Sequence, residues 1–220
     1  MSQQKGSGNE LPGAGLRKRL FARWYNKVME KYEAYISERK QTLFLDLPPT
    51  VIEIGPGTGA NLRYLPQGCT WIGIEPNPFM RSQLREKAAR HGVEAEFRIG
   101  TAESIHEADD SVDAVLCTLV LCSVRDPQQV LTEVLRVLKP GGGFYFIEHV
   151  AAFQGTWLRG WQRVMRPIWI AIADGCHPDR ETRTSIQSAG FRSVELEEFR
   201  VPLPPALPFV SPHIAGVARK

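Results

Sequence analysis

Three glycines at alternate positions make up the most informative short motif of the sequence. They lie in the segment 51–61 (VIEIGPGTGAN), directly after an apolar run and before a helical pattern. Gly55, Gly57 and Gly59 allow a tight turn without Cβ atoms, so that the backbone can approach a nucleoside ligand closely. Because Gly55, Gly57 and Ala60 also match the dinucleotide pattern G-x-G-x-x-G/A, this loop alone leaves a nicotinamide or flavin cofactor open.

Further polar residues follow the next predicted strands. Glu75 ends the second strand in the segment GIEPN, where its carboxylate can accept hydrogen bonds from both hydroxyls of a ribose. Dinucleotide-binding folds share that feature. They do not share the segment GTAESI at 100–105, after the third strand, or LKPGG at 138–142, before the fifth. These two segments therefore separate this chain from a nicotinamide or flavin enzyme.

Two ionisable residues are candidates for acid–base chemistry. His149 follows the fifth predicted strand, at the carboxyl edge where ligands bind in open α/β sheets, and Glu148 beside it could orient the imidazole. Asp174 lies in the turn DGCH, in a long segment after that strand. A structural hydrogen bond for His149 and helix capping for Asp174 are the alternatives. Cys176 in the same turn is interpreted as a packing residue.

Alternating strand, turn and helix patterns must position these residues. Short β-branched runs predict five strands, and two segments opened by proline predict helices between them. Two alternating stretches near the C-terminus predict an antiparallel pair. The predicted strands are 50–54, 70–75, 95–99, 112–117, 144–148, 193–201 and 213–219, and the helices are 78–90 and 127–138. The sequence thus predicts an α/β, Rossmann-like doubly wound seven-stranded sheet, mostly parallel with an antiparallel C-terminal strand and with helices on both faces.

The pattern also predicts how the chain is divided. Residues 1–15 are polar and glycine-rich and are expected to be a disordered tail. Apolar residues at four-residue steps predict an amphipathic helix over residues 16–47, which either packs against the sheet or forms an aromatic lid. Residues 48–220 form one α/β domain. Within it, residues 151–190 are a long insertion after the fifth strand, expected on the side where a substrate would bind. We expect a break or kink in this insertion at Pro167.

Charge and apolar content exclude several classes of protein. The net charge of +3 is too small to indicate nucleic-acid binding. The excess lies in residues 1–47, where nine Lys and Arg face five acidic residues, so that peripheral contact with an anionic membrane is an option. No apolar run approaches the roughly 20 residues of a membrane-spanning helix, and the polar N-terminus does not resemble a signal peptide. We therefore expect no integral membrane segment and a cytoplasmic protein.

Cysteine spacing gives a separate expectation. The four cysteines show no CxxC pair, and most lie beside strand-like or aromatic sequence. We expect buried free thiols, with no disulfide and no metal site.

The four motifs together resemble class I S-adenosylmethionine-dependent methyltransferases, of the type that includes the ubiquinone and menaquinone methyltransferases. The resemblance covers about residues 50–150 and implies S-adenosylmethionine as the cofactor. It places Glu53 and the glycine loop at the methionine part of the cofactor, Glu75 at the ribose, and Thr101 with the Ala102 amide at the adenine. The other residues that it implies at the cofactor are Asn61, Pro76, Asn77 and Cys117.

This chain departs from that family at the adenine. Such enzymes often carry an aspartate that binds the adenine amino group, whereas this sequence has Thr101. The adenine contacts then fall to the Ala102 amide or to Glu103.

A narrower resemblance concerns the acceptor. The segments DAVLCTLVLCSV (113–124), FYFIEHV (144–150), DGC (174–176) and PHI (212–214) resemble mammalian methyltransferase-like proteins that methylate alkyl thiols at the endoplasmic reticulum and on lipid droplets. Those proteins carry a hydrophobic N-terminal anchor, whereas residues 16–45 here are amphipathic and charged. The resemblance implies S-methylation of a small thiol or hydrosulfide. From their positions, His149 and Asp174 are the catalytic candidates for that reaction.

Two other functions stay open. The acceptor could be a quinone, a lipid amine or another small lipophilic molecule, because the fold does not determine the acceptor. The chain could also be a non-catalytic module that only binds the cofactor. The intact glycine loop and Glu75 count against that alternative.

Overall fold

Seven strands form a single mixed sheet in the computed structural model, which describes Gly15, Arg19 and residues 32–220. They are β1 (Thr50–Ile54), β2 (Thr70–Ile74), β3 (Glu94–Arg98), β4 (Val112–Thr118), β5 (Leu138–His149), β6 (Ser193–Arg200) and β7 (Pro212–Arg219). Their order is β3-β2-β1-β4-β5-β7-β6. Strands β1 to β5 are parallel, and β7 is antiparallel to both β5 and β6. The predicted fold class is therefore confirmed.

The helices connect and cover these strands. They are α1 (described over residues 32–43), α2 (Arg81–His91), α3 (Pro127–Val137), α4 (Trp157–Ile172) and α5 (Thr182–Gln187). Helix α3 begins where its sequence indicates, since the Asp126 carboxylate accepts hydrogen bonds from two backbone amides and Pro127 occupies the first turn. In the same way, the Thr156 hydroxyl accepts a hydrogen bond from the Arg159 amide at the start of α4.

Helix α4 does not break at Pro167, contrary to one of the two expected outcomes. The helix continues from Trp157 to Ile172 with the proline inside it. Pro167 lies on the exposed side of the helix. Because proline has no backbone N–H, one carbonyl oxygen of the preceding turn loses its helical donor, and on this side water can replace it. The other side of the helix packs Leu158 and Trp169 against Phe209, so that both halves contact the same apolar cluster.

The fifth strand is longer than its pattern predicts. It begins at Leu138 rather than at residue 144, because the glycine-rich segment 140–143 continues the strand after a register shift against β4. Helix α3 ends one residue before its predicted boundary, where Leu138 takes an extended conformation.

Apolar clusters fill both faces of the sheet. One contains Ile52, Val115 and Phe146, and the other contains Val51, Trp71 and Leu116, so that alternate residues of each strand face opposite clusters. The described part of α1 contributes to the core through Ile36 and Phe44, which are both fully buried. Residues 32–45 therefore pack against the sheet. The predicted tail and most of residues 16–31 lie outside the described residues.

No helix in the part of the chain that the structure describes is long and apolar enough to cross a membrane.

Candidate active site

The glycine turn after β1 has the conformation that its sequence predicts. Gly55, Gly57 and Gly59 all have positive φ values, of 62°, 56° and 80°. A Cβ atom on Gly55 would lie 2.5 Å from a methyl carbon of Val120, and one on Gly59 would lie 2.6 Å from a methyl carbon of Leu62. The turn is thus closed to larger residues, and the absence of Cβ atoms at its glycines permits close approach of a ligand to its backbone.

Glu75 is positioned by this turn and by its own loop. One carboxylate oxygen accepts a hydrogen bond from the Gly57 amide at 2.9 Å, and the other accepts one from the Asn77 amide at 2.8 Å. Burial raises the pKa of Glu75, and the charge of Asp174 acts in the same direction, while the two amides oppose them. The carboxylate is therefore fixed beside the glycine turn, where a ribose could bind.

Glu53 and Asn61 form the opposite end of the turn. The Asn61 amide nitrogen donates to Glu53 Oε1 at 2.8 Å and to Thr118 Oγ1 at 3.0 Å, and Trp71 Nε1 donates to Glu53 Oε2 at 2.9 Å. Burial raises the pKa of Glu53 to about 7. Within the described residues, Asn61 Oδ1 is buried without a hydrogen-bond partner. This oxygen is the acceptor that remains open at this end of the turn.

Glu148 organises the loop after β4. Its Oε1 accepts hydrogen bonds from the Val120 amide at 2.9 Å, the Leu121 amide at 3.2 Å and the Cys117 thiol at 3.1 Å. Leu119 in this loop has a φ of 58°, a conformation that non-glycine residues rarely adopt. Burial raises the pKa of Glu148. Cys117, predicted at the cofactor, is fully buried and holds this loop through Glu148.

The turn after β3 lies beside the N-terminus of α3. Thr101 is exposed and Ala102 is buried, while Glu103 accepts a hydrogen bond from the Arg125 amide at 3.0 Å. Glu103 therefore joins two loops. The adenine contact therefore stays a prediction for either the Ala102 amide or Glu103.

His149 lies at the carboxyl end of β5 beside two thiols. Its Nε2 is 2.7 Å from Cys176 Sγ, and Trp169 Nε1 donates to the same sulfur at 3.2 Å. Its Nδ1 is buried with no hydrogen-bond partner among the described residues. Burial by itself lowers the pKa of His149, but Cys122 and Glu148 outweigh it, so that the net shift is upward. Cys176, expected only to pack, is thus a direct neighbour of the candidate base.

His213 stands opposite His149 in the β5–β7 pair and has a different environment. Its Nδ1 is 2.8 Å from the Ser211 carbonyl oxygen, which requires a proton on that nitrogen, and the Tyr32 hydroxyl donates to its Nε2 at 2.7 Å. Burial lowers the pKa of His213 to about 3. Both nitrogens are occupied and the ring is neutral, so His213 has a structural role.

The structure places most of the predicted site residues along one edge of the sheet. The glycine turn, Glu75, the Thr101 loop and His149 all follow the carboxyl ends of parallel strands. Asp174, with a φ of 49°, lies close enough to Glu75 to affect its pKa. The sequence did not predict Cys122 as a residue of this site, because no spacing along the chain relates it to His149 and Cys176.

Comparisons with known proteins agree with this geometry. A methyltransferase-domain profile matches residues 52–146. Human thiol S-methyltransferase TMT1A is 40% identical over 86% of this chain and 81% of its own length. Rat thiol S-methyltransferase TMT1B is 44% identical over 91% of this chain and 83% of its own length. The chain belongs to the thiol S-methyltransferase family.

A solved structure extends the agreement to the fold. An S-adenosylmethionine-dependent methyltransferase from Thermotoga maritima superposes with a TM-score of 0.64, over 91% of this chain and 98% of that chain, at 22% identity. The protein is an S-adenosylmethionine-dependent methyltransferase, and S-adenosylmethionine is its cofactor. The residues fit that cofactor. The turn has no Cβ atoms where a nucleoside must approach, and Asn61 Oδ1 is a buried open acceptor suited to the methionine ammonium group.

Proposed function

We propose that this enzyme methylates a small thiol or hydrosulfide on sulfur. The observation that carries the proposal is the 40% identity to a thiol S-methyltransferase over 86% of the chain, a span that must include most of residues 151–190 as well as the cofactor core. The acceptor would bind between the glycine turn and His149. A thiol suits this place because it has to lose only one proton before it attacks.

The cofactor residues have defined roles in this proposal. When bound, S-adenosylmethionine supplies a methyl group activated by its sulfonium charge. The glycine turn and Asn61 hold the methionine end, while Glu75 holds the ribose. Glu148 fixes the loop after β4 through two hydrogen bonds from loop amides and a third from Cys117 in β4, and in this proposal the loop positions donor and acceptor for in-line attack.

His149 receives the thiol proton in this proposal. A free thiol has a pKa of about 8.5. Burial lowers the pKa of His149, but Cys122 and Glu148 shift it upward overall, which favours transfer of the thiol proton to the imidazole. Nδ1 is the nitrogen without a partner among the described residues, and we assign the proton to it. Asp174 acts on Glu75, so we place it on the cofactor side rather than in the proton transfer.

One activity screen tests the proposed acceptor. The purified protein is incubated with methyl-labelled S-adenosylmethionine and, in separate reactions, with an alkanethiol, sulfide, a quinol and a primary amine. We expect label in the thioether or methanethiol product. Efficient methylation of the quinol or the amine, with no thiol turnover, would contradict the proposal and favour the alternative of a lipophilic acceptor. No turnover of any acceptor despite cofactor binding would favour a non-catalytic module.

The proposal also includes peripheral contact with an anionic membrane surface, in a protein that is otherwise cytoplasmic and does not bind nucleic acid. The basic excess of residues 1–47 supports it. Helix α4 supports it as well, because it carries three arginines and no acidic residue. One side of this helix is an exposed apolar stripe, which we name the α4 face: Trp157, Trp161, Val164, Ile168 and Ile172.

Vesicle sedimentation tests the membrane contact. The protein should sediment with vesicles that contain phosphatidylserine and much less with pure phosphatidylcholine. Replacing Trp157 and Trp161 by Ser should reduce sedimentation, whereas Ile99→Ser should not, since Ile99 is exposed but lies outside the α4 face. Equal binding by all three proteins would contradict a role for this face.

A further inference from the structure

Three potential metal ligands meet at the end of β5, although they come from distant parts of the sequence. Cys122 follows β4, His149 ends β5 and Cys176 lies in the turn after α4. One donor atom from each lies within 4.8 Å of the others, and all three residues are buried. Each of the three also has a polar contact: Cys176 Sγ contacts His149 and Trp169, and Cys122 Sγ donates to the Leu119 carbonyl oxygen at 3.5 Å.

Polar groups surround the two thiols. Trp169 Nε1 donates to Cys176 Sγ at 3.2 Å, and hydrogen bonds of this kind support metal thiolates. Arg180 donates to the carbonyl oxygens of Leu121 and Val124, on either side of Cys122. Its charge acts on the sulfurs of both cysteines. A buried cation that displaces the two thiol protons would therefore lie within a polar shell that already exists.

We propose that Cys122, His149 and Cys176 form a binding site for one thiophilic divalent cation, such as Zn²⁺, with the fourth position open. Two sulfurs and one imidazole nitrogen are a common ligand set for tetrahedral zinc. Tetrahedral bond lengths require about 3.5–3.8 Å between ligand atoms, so His149 Nε2 and Cys176 Sγ must separate by about 1 Å from their 2.7 Å contact. Binding breaks two S–H bonds, releases two protons to solvent and forms two S–metal bonds, without a redox step.

Charge balance supports a divalent ion. Two thiolates neutralise the cation, so that no net charge is added to a buried region. The cysteine spacing gave no indication of this site, because its ligands lie in three separate segments.

Cobalt titration tests the site directly. Reduced, metal-free full-length protein is titrated with Co²⁺, and the thiolate-to-cobalt charge-transfer absorption is recorded. We expect it to saturate at one ion per chain and to disappear when Zn²⁺ is added. Cys122→Ser, Cys176→Ser and His149→Ala should each weaken binding at least about 100-fold, since each removes a ligand. Cys69→Ser is the matched control, because Cys69 is equally buried but lies in the cluster around Trp71.

Several outcomes would overturn the proposal. These are absence of the charge-transfer band in the wild-type protein, or a band that is unchanged in the Cys122 or Cys176 variant. A labelling experiment on the wild-type protein covers the case in which a variant does not fold. Bound Zn²⁺ should slow iodoacetamide alkylation of Cys122 and Cys176 but not of Cys69, as measured by peptide mass spectrometry. Equal alkylation rates with and without Zn²⁺ would also overturn it.

One consequence rests on the proposed function. Because His149 is the proposed base, a bound cation should inhibit thiol methylation, and a chelator should restore it. If the cobalt band appears but Zn²⁺ does not lower turnover, the cation site stands and the assigned role of His149 is wrong.

Discussion

Glu75 shows at the residue scale how one carboxylate can be prepared for a ligand before the ligand binds. Backbone amides of Gly57 and Asn77 hold its two oxygens, and burial keeps water away from them. A ribose that binds here meets a group whose position is already fixed. The ordering cost of this contact is therefore met during folding rather than during binding.

Glu75→Ala should weaken cofactor binding while the protein stays folded. Each charged hydrogen bond lost costs about 1.5–3 kcal/mol, which corresponds to about a 10- to 150-fold increase in the dissociation constant for S-adenosylmethionine. Isothermal titration calorimetry measures this change. Glu75→Gln is the matched variant. Its dissociation constant should lie between those of the wild-type protein and Glu75→Ala, because its amide retains one acceptor oxygen. Wild-type affinity in the alanine variant would show that the ribose binds elsewhere.

Sequence reasoning predicted site residues, Asn61 among them, from motifs and from positions after a strand, but it did not predict contacts between separate loops. Glu75 and His149 were predicted because each lies at the end of a strand with a clear pattern. The open acceptor on Asn61 and the place of Cys122 beside His149 depend on how separate loops pack. No spacing along the chain encodes that packing, since the three segments around His149 come together only in the folded protein.

At the scale of elements, the turn after β1 strongly restricts which residue types its positions can hold. Gly57 has a φ of 56° and donates to Glu75, so a branched residue there would strain the backbone and also block the ligand. Gly57→Val should abolish cofactor binding, with a loss of stability of about 1–2 kcal/mol. Calorimetry and thermal melting measure the two effects.

Gly160→Val is the control for this prediction. A Cβ atom at Gly160 in α4 meets nothing within 4 Å, so that this variant should bind the cofactor normally. Cofactor binding by the Gly57 variant would contradict the assigned role of the turn.

The elements differ in how well sequence predicted them. Strands β1, β2 and β4 have β-branched runs that end at glycine or acidic turns, and their predicted bounds agree with the structure to within one residue. The start of β5 was missed, because glycines at 141–143 indicate a turn, whereas the strand continues there through a register shift against β4, with Gly141 at a φ of 82°. A break or kink was predicted at Pro167, but the helix continues through it, and both its halves contact the cluster around Phe209.

At the scale of the whole molecule, the described part of the N-terminal region contributes to the core. Residues 32–45 supply Ile36 and Phe44 to the core, and Tyr32 donates to His213. Truncation at residue 45 would thus remove core packing and should prevent folding. Truncation at residue 31 keeps these contacts and is the fair test of a lid.

Deletion of residues 1–31 should lower turnover more than cofactor affinity. If this segment covers the acceptor, its loss admits water and loosens the acceptor, and kcat/KM should fall by about tenfold or more. The dissociation constant for S-adenosylmethionine should change little. Both are measured on the same preparation, with thermal melting to confirm folding. Unchanged turnover would reject the lid.

The central feature of the proposed mechanism is a thiol acceptor whose proton passes to His149. The pH dependence of kcat/KM with two different thiols tests this feature most directly. An alkanethiol with a pKa near 8.5 needs the base, whereas an aryl thiol that is already ionised at neutral pH does not. We predict that the alkanethiol rate of the wild-type protein rises through the pKa of His149. In His149→Ala this rise should move up to the pKa of the thiol itself, while the aryl thiol rate stays nearly unchanged. An equal loss for both thiols with no shift of the profile would contradict the account.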